Sequence, residues 1–214
     1  MKKILTIIML AGIVLSAKAQ DETIYNPKTL FGGDKSVRGF IGLNTKGIQL
    51  NNQVAVLTGA EVDLVLGHRL NIGFFGYGKI NEVQSNFFDI QGYRNYYELG
   101  MGGFKLEPVL FTNALIHLTI PVQMGAGVMS LNRQRLIDYN YYNDDYYNWE
   151  NTIYDFDTFV FVEPSVSAEL NLLKHMRLNV GVGYLVTDKI NLAGTNAYPM
   201  EGFTGNISLR LGWF

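Results

Sequence analysis

From Ile116 to Val128 the chain sorts its side chains by parity. Ile116, Leu118, Ile120, Val122, Met124, Ala126 and Val128 fall on one side, and His117, Thr119, Pro121, Gln123, Gly125 and Gly127 on the other. A period of two means an extended strand with one apolar face and one polar or small face. The rhythm returns at Leu178, Val180, Val182, Tyr184 and Val186, and again at Ile207, Leu209, Leu211 and Trp213. Eight such strands are expected, over 37–45, 54–66, 70–82, 95–107, 115–129, 157–171, 176–188 and 202–214. The connections 46–53, 67–69, 83–94, 108–114, 130–156, 172–175 and 189–201 alternate long and short without exception. An even strand number with that alternation describes a closed barrel, apolar outside toward lipid and polar inside. The expected fold is therefore all-β, an eight-stranded antiparallel up-and-down transmembrane β-barrel with both termini on the short-turn side. In the fourth strand the apolar phase passes from Tyr97, Leu99 and Met101 to Phe104 and Leu106, which predicts a bulge at Gly102-Gly103.

The first residues carry a different signal. Lys2 and Lys3, the apolar run Ile4 to Leu15 and the small-x-small site Ala17-Lys18-Ala19 read as a secretory signal peptide over 1–19. Residues 20–35 are then expected as a periplasmic N-terminal tail and 36–214 as the barrel. Val109 to Asn132 carries no formal charge, but Asn113, His117, Pro121 and Gln123 interrupt it. That segment reads as a turn plus a strand, not a spanning helix. The absence of cysteine excludes disulfides, thiolate metal sites and a lipoprotein anchor. A net charge of −2 argues against a nucleic-acid partner.

The strand number, the loop alternation and the terminal run Leu209-Arg210-Leu211-Gly212-Trp213-Phe214 carry a resemblance. Over about residues 36–214 the chain resembles the small eight-stranded outer-membrane barrels of the OmpA and OmpX type, in particular those of Bacteroidota. The resemblance implies a monomer in the outer membrane of a Gram-negative bacterium, in contact with outer-membrane lipid. It also implies insertion by the barrel-assembly machinery, which reads such an aromatic end. Phe214 is out of phase with Leu211 and Trp213.

An eight-stranded barrel has a bore that its own side chains fill. The lumen is expected to hold Arg38, Glu61, Asp63, Lys79, Glu98, Lys105, Glu107, His117, Glu163, Glu169, Arg177 and Arg210. Charges of both signs in so narrow a space must pair. A hairpin symmetric about 83–94 would set Lys79 opposite Glu98, with Glu61 and Asp63 close to Arg38. Arg69 and Arg177 open two similar runs, Arg69-Leu70-Asn71-Ile72-Gly73 and Arg177-Leu178-Asn179-Val180-Gly181, where strands enter the membrane. This lumen reads as a plug, and a small-solute porin is the alternative.

A second alternative is a lipid A-modifying barrel enzyme. His68 and His175 fall in turns and His117 in the lumen, with no serine or acid set beside them as a catalytic group. No catalytic residue, cofactor or metal ligand is assigned. The stretch from Leu136 to Leu173 lacks Lys and Arg and carries Asp138, Asp144, Asp145, Glu150, Asp155 and Asp157. Among these stand Tyr139, Tyr141, Tyr142, Tyr146, Tyr147, Trp149 and Tyr154. Two readings fit: strands prolonged beyond the bilayer with an aromatic girdle, or a surface for an external carbohydrate or protein ligand. The acids have no EF-hand spacing for calcium.

Overall fold

The computed structural model describes residues 37–85, 87, 94–112, 114–139 and 146–214. The expected signal peptide and N-terminal tail, and Tyr141 and Tyr142, lie outside the described residues. Nine strand segments follow one another: β1 (Val37–Leu50), β2 (Gln53–Leu66), β3 (Leu70–Lys79), β4 (Arg94–Leu110), β5 (Ile116–Thr119), β6 (Val122–Tyr139), β7 (Tyr146–Leu173), β8 (Met176–Thr187) and β9 (Gly202–Trp213). β5 and β6 together fill one position between β4 and β7. Pro121, which cannot donate to a ladder, lies at the break between them, and its carbonyl accepts from Ser165 N at 2.8 Å. Every pairing is antiparallel, and β1 closes on β9 from Gly39↔Trp213 to Gly47↔Gly205. The result is a closed up-and-down barrel of eight strand positions, without sheet edges around its ring.

Parity decides which way each side chain points. Ile41, Leu43, Val62, Leu64, Phe74, Val128, Val160, Val182 and Ile207 stand exposed on the outer surface. Asn44, Glu61, Asp63, Lys105, Gln123, Glu163, Glu169 and Arg210 are buried in the lumen. In the half of the barrel toward the chain ends, the exposed and buried classes are thus reversed from those of a water-soluble domain, a pattern suited to a lipid-facing band.

Three expectations need correction. The connection 46–53 is not a long loop. Lys46, Ile48 and Leu50 continue the inward alternation of β1, so the strand runs on to a two-residue turn at Asn51 (φ 48°) and Asn52 (φ 64°). Asparagine tolerates these left-handed values, and the resulting turn matches the twist of a hairpin. There is also no bulge at Gly102-Gly103. β4 pairs continuously through both glycines with β3 and β6, and Tyr97, Leu99 and Met101 point inward together with Lys105 and Glu107. The apolar phase changes because the lumen itself changes character along its length. Most of 130–156, expected as loop, is strand: β6 reaches Tyr139 and β7 begins at Tyr146.

The interior has two storeys. Toward the chain ends it is charged. Toward the hairpin β1–β2 it is apolar, built from residues such as Ile48, Leu57, Phe75, Tyr97, Met129, Phe159, Phe161 and Leu185. Ile190, Leu192 and Met200, from the connection between β8 and β9, are buried in that upper storey and roof it.

Candidate functional site: the charged lumen, its roof and the protruding hairpin

The lower lumen is organised around Arg210 on β9. Its Nε donates to Glu61 Oε1 (2.9 Å), Nη1 and Nη2 donate to the two carboxylate oxygens of Glu107 (2.6 and 2.8 Å), and Nη1 also reaches Glu169 (2.5 Å). The guanidinium fork is suited to such a many-partner role. Lys105 contacts Glu61 (2.5 Å), Glu107 (3.0 Å) and Asp63 (3.1 Å) from the β4 side. Arg177 holds the other oxygen of Glu169 (2.8 Å), and its guanidinium lies 3.9 Å from the Phe214 ring centroid. Arg38 donates to the Phe214 carbonyl, and the Phe40 and Phe214 rings pack at 5.4 Å. Phe214 therefore turns inward, which accounts for its break from the outward phase of Leu211 and Trp213.

One storey higher, Lys46 Nζ donates to Glu163 Oε2 and Gln123 Oε1, both at 2.6 Å, and sits 4.5 Å from the Tyr77 ring centroid. Thr204 donates to the second oxygen of Glu163 (2.7 Å). Between the two groups lies a cavity of only about 10 Å³, bordered by Asn44, Glu61, Tyr77, Glu163, Ser208 and Arg210 among others. The expected lumen set lacks Lys46. The early end given to the first strand left it in a loop, although parity with Arg38 and Asn44 would have placed it inside.

Other expected lumen residues are arranged differently. His117 is buried on the inward phase of β5 with Nε2 2.7 Å from the Ala114 carbonyl. Lys79 is inward on β3, at the upper end. Glu98 is not a lumen residue. Gly78 pairs with Gly100, one place from the symmetric register, and this sets Glu98 on the outward phase of β4 with Tyr96 and Phe104. Lys79 Nζ still reaches it at 3.4 Å, because β3 ends there and leaves room at the rim. Glu61 and Asp63 meet Lys105, which reaches them over Gly73, the residue paired with both Asp63 and Lys105, while the expected Arg38 on the adjacent strand turns to Phe214.

Crowding in this bore is relieved by glycine. Gly42 pairs with Glu61, Gly59 with Tyr77, Gly73 with Asp63 and Gly127 with Phe159. A Cβ on Gly42 would stand 2.7 Å from Glu61 Oε1, and one on Gly59 2.8 Å from Tyr77 Cδ1. Each large inward side chain thus occupies the space that its cross-strand neighbour leaves empty.

The roof is tied down by acids of β7. Asp157 Oδ2 accepts from Asn191 N (2.7 Å) and Asp155 Oδ2 from Ala193 N (3.0 Å), while Tyr97 OH donates to Gly194 O (2.9 Å). Asn51 N donates to Pro199 O (2.9 Å), which joins the β1–β2 turn to the same roof. Two acids expected in an external loop therefore have a structural task at the mouth.

Above the roof, among the described residues, the β6–β7 hairpin extends beyond its neighbouring strands. Among the described residues, β4 accompanies β6 as far as Arg94↔Gln134, and β8 accompanies β7 from Phe161↔Thr187. Tyr139 pairs with Tyr146, Asp138 with Tyr147 and Leu136 with Trp149 along the hairpin. Tyr154 falls at the register shift between Leu131↔Asp155 and Asn132↔Ile153, with the Arg133 guanidinium 4.4 Å from its ring centroid and Phe87 at 5.7 Å. Among the described residues no group of His, Cys, Asp and Glu could hold a metal ion.

No family model matches the chain, and no curated protein sequence matches it. Among solved structures it is similar to Neisserial surface protein A (NspA), with 8% identity, 82% of this chain and 96% of that chain covered, and a TM-score of 0.52. It is also matched to Ail, the attachment invasion locus protein of Yersinia pestis, at 9% identity, 83% and 96% coverage and a TM-score of 0.43. At such identities the likeness to NspA is one of fold, the outer-membrane β-barrel.

Proposed function

We propose that this chain is a non-enzymatic barrel of the Gram-negative outer membrane, closed through its lumen, which meets external partners through the β6–β7 hairpin. The turns 67–69, 111–115 and 174–175 then face the periplasm, and the roof and hairpin face outward. The observation that carries the reading is a contrast in build. Paired charges and an apolar roof leave a cavity of about 10 Å³ in the bore, room for about one water molecule. Among the described residues, in contrast, no strand pairs with the hairpin's outer edges beyond Gln134 on β6 or, above the roof contacts, before Asp155 on β7. Unpaired edges can accept an extended segment of another protein, and tyrosines along them offer contact area for a sugar ring or a peptide.

Outer-membrane lipid and, during insertion, the barrel-assembly machinery are the other partners of this reading. Deleting residues 139–154 and closing the hairpin with a short turn tests it. The truncated barrel is expected to insert and keep its heat-modifiable gel mobility while surface binding is lost. Unchanged binding and envelope phenotypes would reduce the hairpin to prolonged strands. Planar-bilayer recordings are expected to give no steady large channel, and lipid A acylation in an expressing strain is expected to stay unchanged. Steady large conductance would favour a porin, and altered acylation an enzyme.

A further inference from the structure

We propose that the rim formed by the short turns is a collar for anionic phospholipid headgroups of the adjoining leaflet. The proposal rests on the membrane placement given above. Turns 67–69, 111–115 and 174–175 contain no Asp or Glu, and their ionisable side chains are His68, Arg69, Lys174 and His175. Arg69, Lys174 and His175 are exposed. The acids nearest this end, Glu107 and Glu169, are fully buried and bound to Lys105, Arg210 and Arg177. Their charge is spent inside the lumen, so among the described residues the three turns expose the cations Arg69 and Lys174 and no acid.

A second observation sets that rim at a membrane surface. Val109 N donates to Arg69 O (2.8 Å), which brings the Arg69 turn against the one that begins at Phe111. Phe111 is 69% exposed and holds a φ of 57°, a left-handed conformation that a bulky residue rarely adopts. Across the rim, Trp213 is also 69% exposed, with the His175 ring 6.1 Å away at 67°. Leu115 and Leu173 are exposed beside them. An aromatic ring at the interface with a cation next to it fits a lipid whose phosphate meets the cation while its glycerol region meets the ring. The opposite end mixes signs, with Glu82, Asp188 and Glu201 among Arg94 and Lys189, and offers no such one-sided field.

The test uses the full chain, folded and reconstituted in phosphatidylcholine vesicles with and without phosphatidylglycerol. Native mass spectrometry then counts the lipids that leave with the protein. Wild type is expected to retain phosphatidylglycerol in preference to phosphatidylcholine, and high salt to remove the preference. The triple variant Arg69→Gln, Lys174→Gln, His175→Gln is expected to retain it about fivefold less per full cation removed, with phosphatidylcholine retention unchanged. If the triple variant fails to fold, Lys174→Glu alone provides the comparison. Equal retention of the two lipids, or equal phosphatidylglycerol retention by wild type and variant, would overturn the proposal. So would sedimentation of the folded protein with purified sacculi through the same side chains without a lipid preference, which would give the rim to the cell wall. Vesicles present the rim whichever way the barrel inserts. Failure of the hairpin assay in cells and failure here are therefore separate results.

Discussion

At the scale of single residues, the lumen makes Arg210 and Glu98 unequal although both carry charge on strands. Arg210 is buried and holds Glu61, Glu107 and Glu169 together. Its replacement in Arg210→Met leaves three carboxylates short of a cation, and removing one partner from a buried pair costs about 3–5 kcal/mol. Urea unfolding in detergent or lipid should register a loss of that size. Glu98 has a side chain 42% exposed, opposite Lys79 at 3.4 Å. Glu98→Gln is expected to cost about 1 kcal/mol or less by the same measurement. Glycines divide in the same way. A methyl group on Gly42 meets Glu61, which is pinned by Lys105, Arg210 and Ser208, so Gly42→Ala should cost about 1–3 kcal/mol. A Cβ on Gly47 meets nothing within 4 Å, and Gly47→Ala should be neutral or slightly stabilising because the unfolded chain loses freedom.

At the scale of elements, the β1–β2 hairpin depends on its two turn residues. Asn52 holds φ at 64°, where a β-branched side chain crowds the backbone. Asn52→Val is expected to destabilise by about 1–2 kcal/mol, and Asn52→Gly to leave stability nearly unchanged. A chemical-denaturation comparison of the two separates backbone strain from loss of the side chain. The parity pattern made strand existence and facing legible for β5, β6, β8 and β9, since one face is apolar and the other polar or small. It misled in β4, where Tyr97, Leu99 and Met101 are apolar and yet inward. Alternation reports a change of face only when the two faces keep their chemistry along the strand. In β4 the interior changes from charged to apolar, so hydrophobicity stopped marking the outside.

At the scale of the molecule, three seals lie in series along the bore, the lowest being the Arg210–Lys105 network. The roof of Ile190, Leu192 and Met200 closes the upper end, and the Lys46–Glu163–Gln123 layer lies beneath it. Removing residues 190–199 is therefore expected to leave single-channel conductance low. Combining that deletion with Lys46→Ser and Glu163→Ser is expected to leave conductance low as well, because the Arg210–Lys105 network still fills the bore below. Single-channel recording of both variants checks that the lowest seal suffices. The external hairpin lies outside this path, and its deletion should change neither result.

A two-residue period and an even strand count follow from local chemistry, so the order of residues along the chain was enough to read a barrel with an apolar outside and most of its strand charges inside. The same order also showed which charges of β2, β5, β8, β9 and the stretch Phe159–Glu169 of β7 face the lumen, since parity holds along each of these segments. Which of these charges meet one another was settled by the closed fold. That Lys105 rather than Arg38 joins Glu61 and Asp63, that Lys46 serves Glu163 from across the barrel, and that Asp155 and Asp157 fasten the roof depends on how far each strand extends, on its register and on the closing of the ring. Those quantities are set by turns and by packing between residues more than a hundred positions apart, such as Lys46 and Glu163. A pattern read along the chain carries no record of such distances.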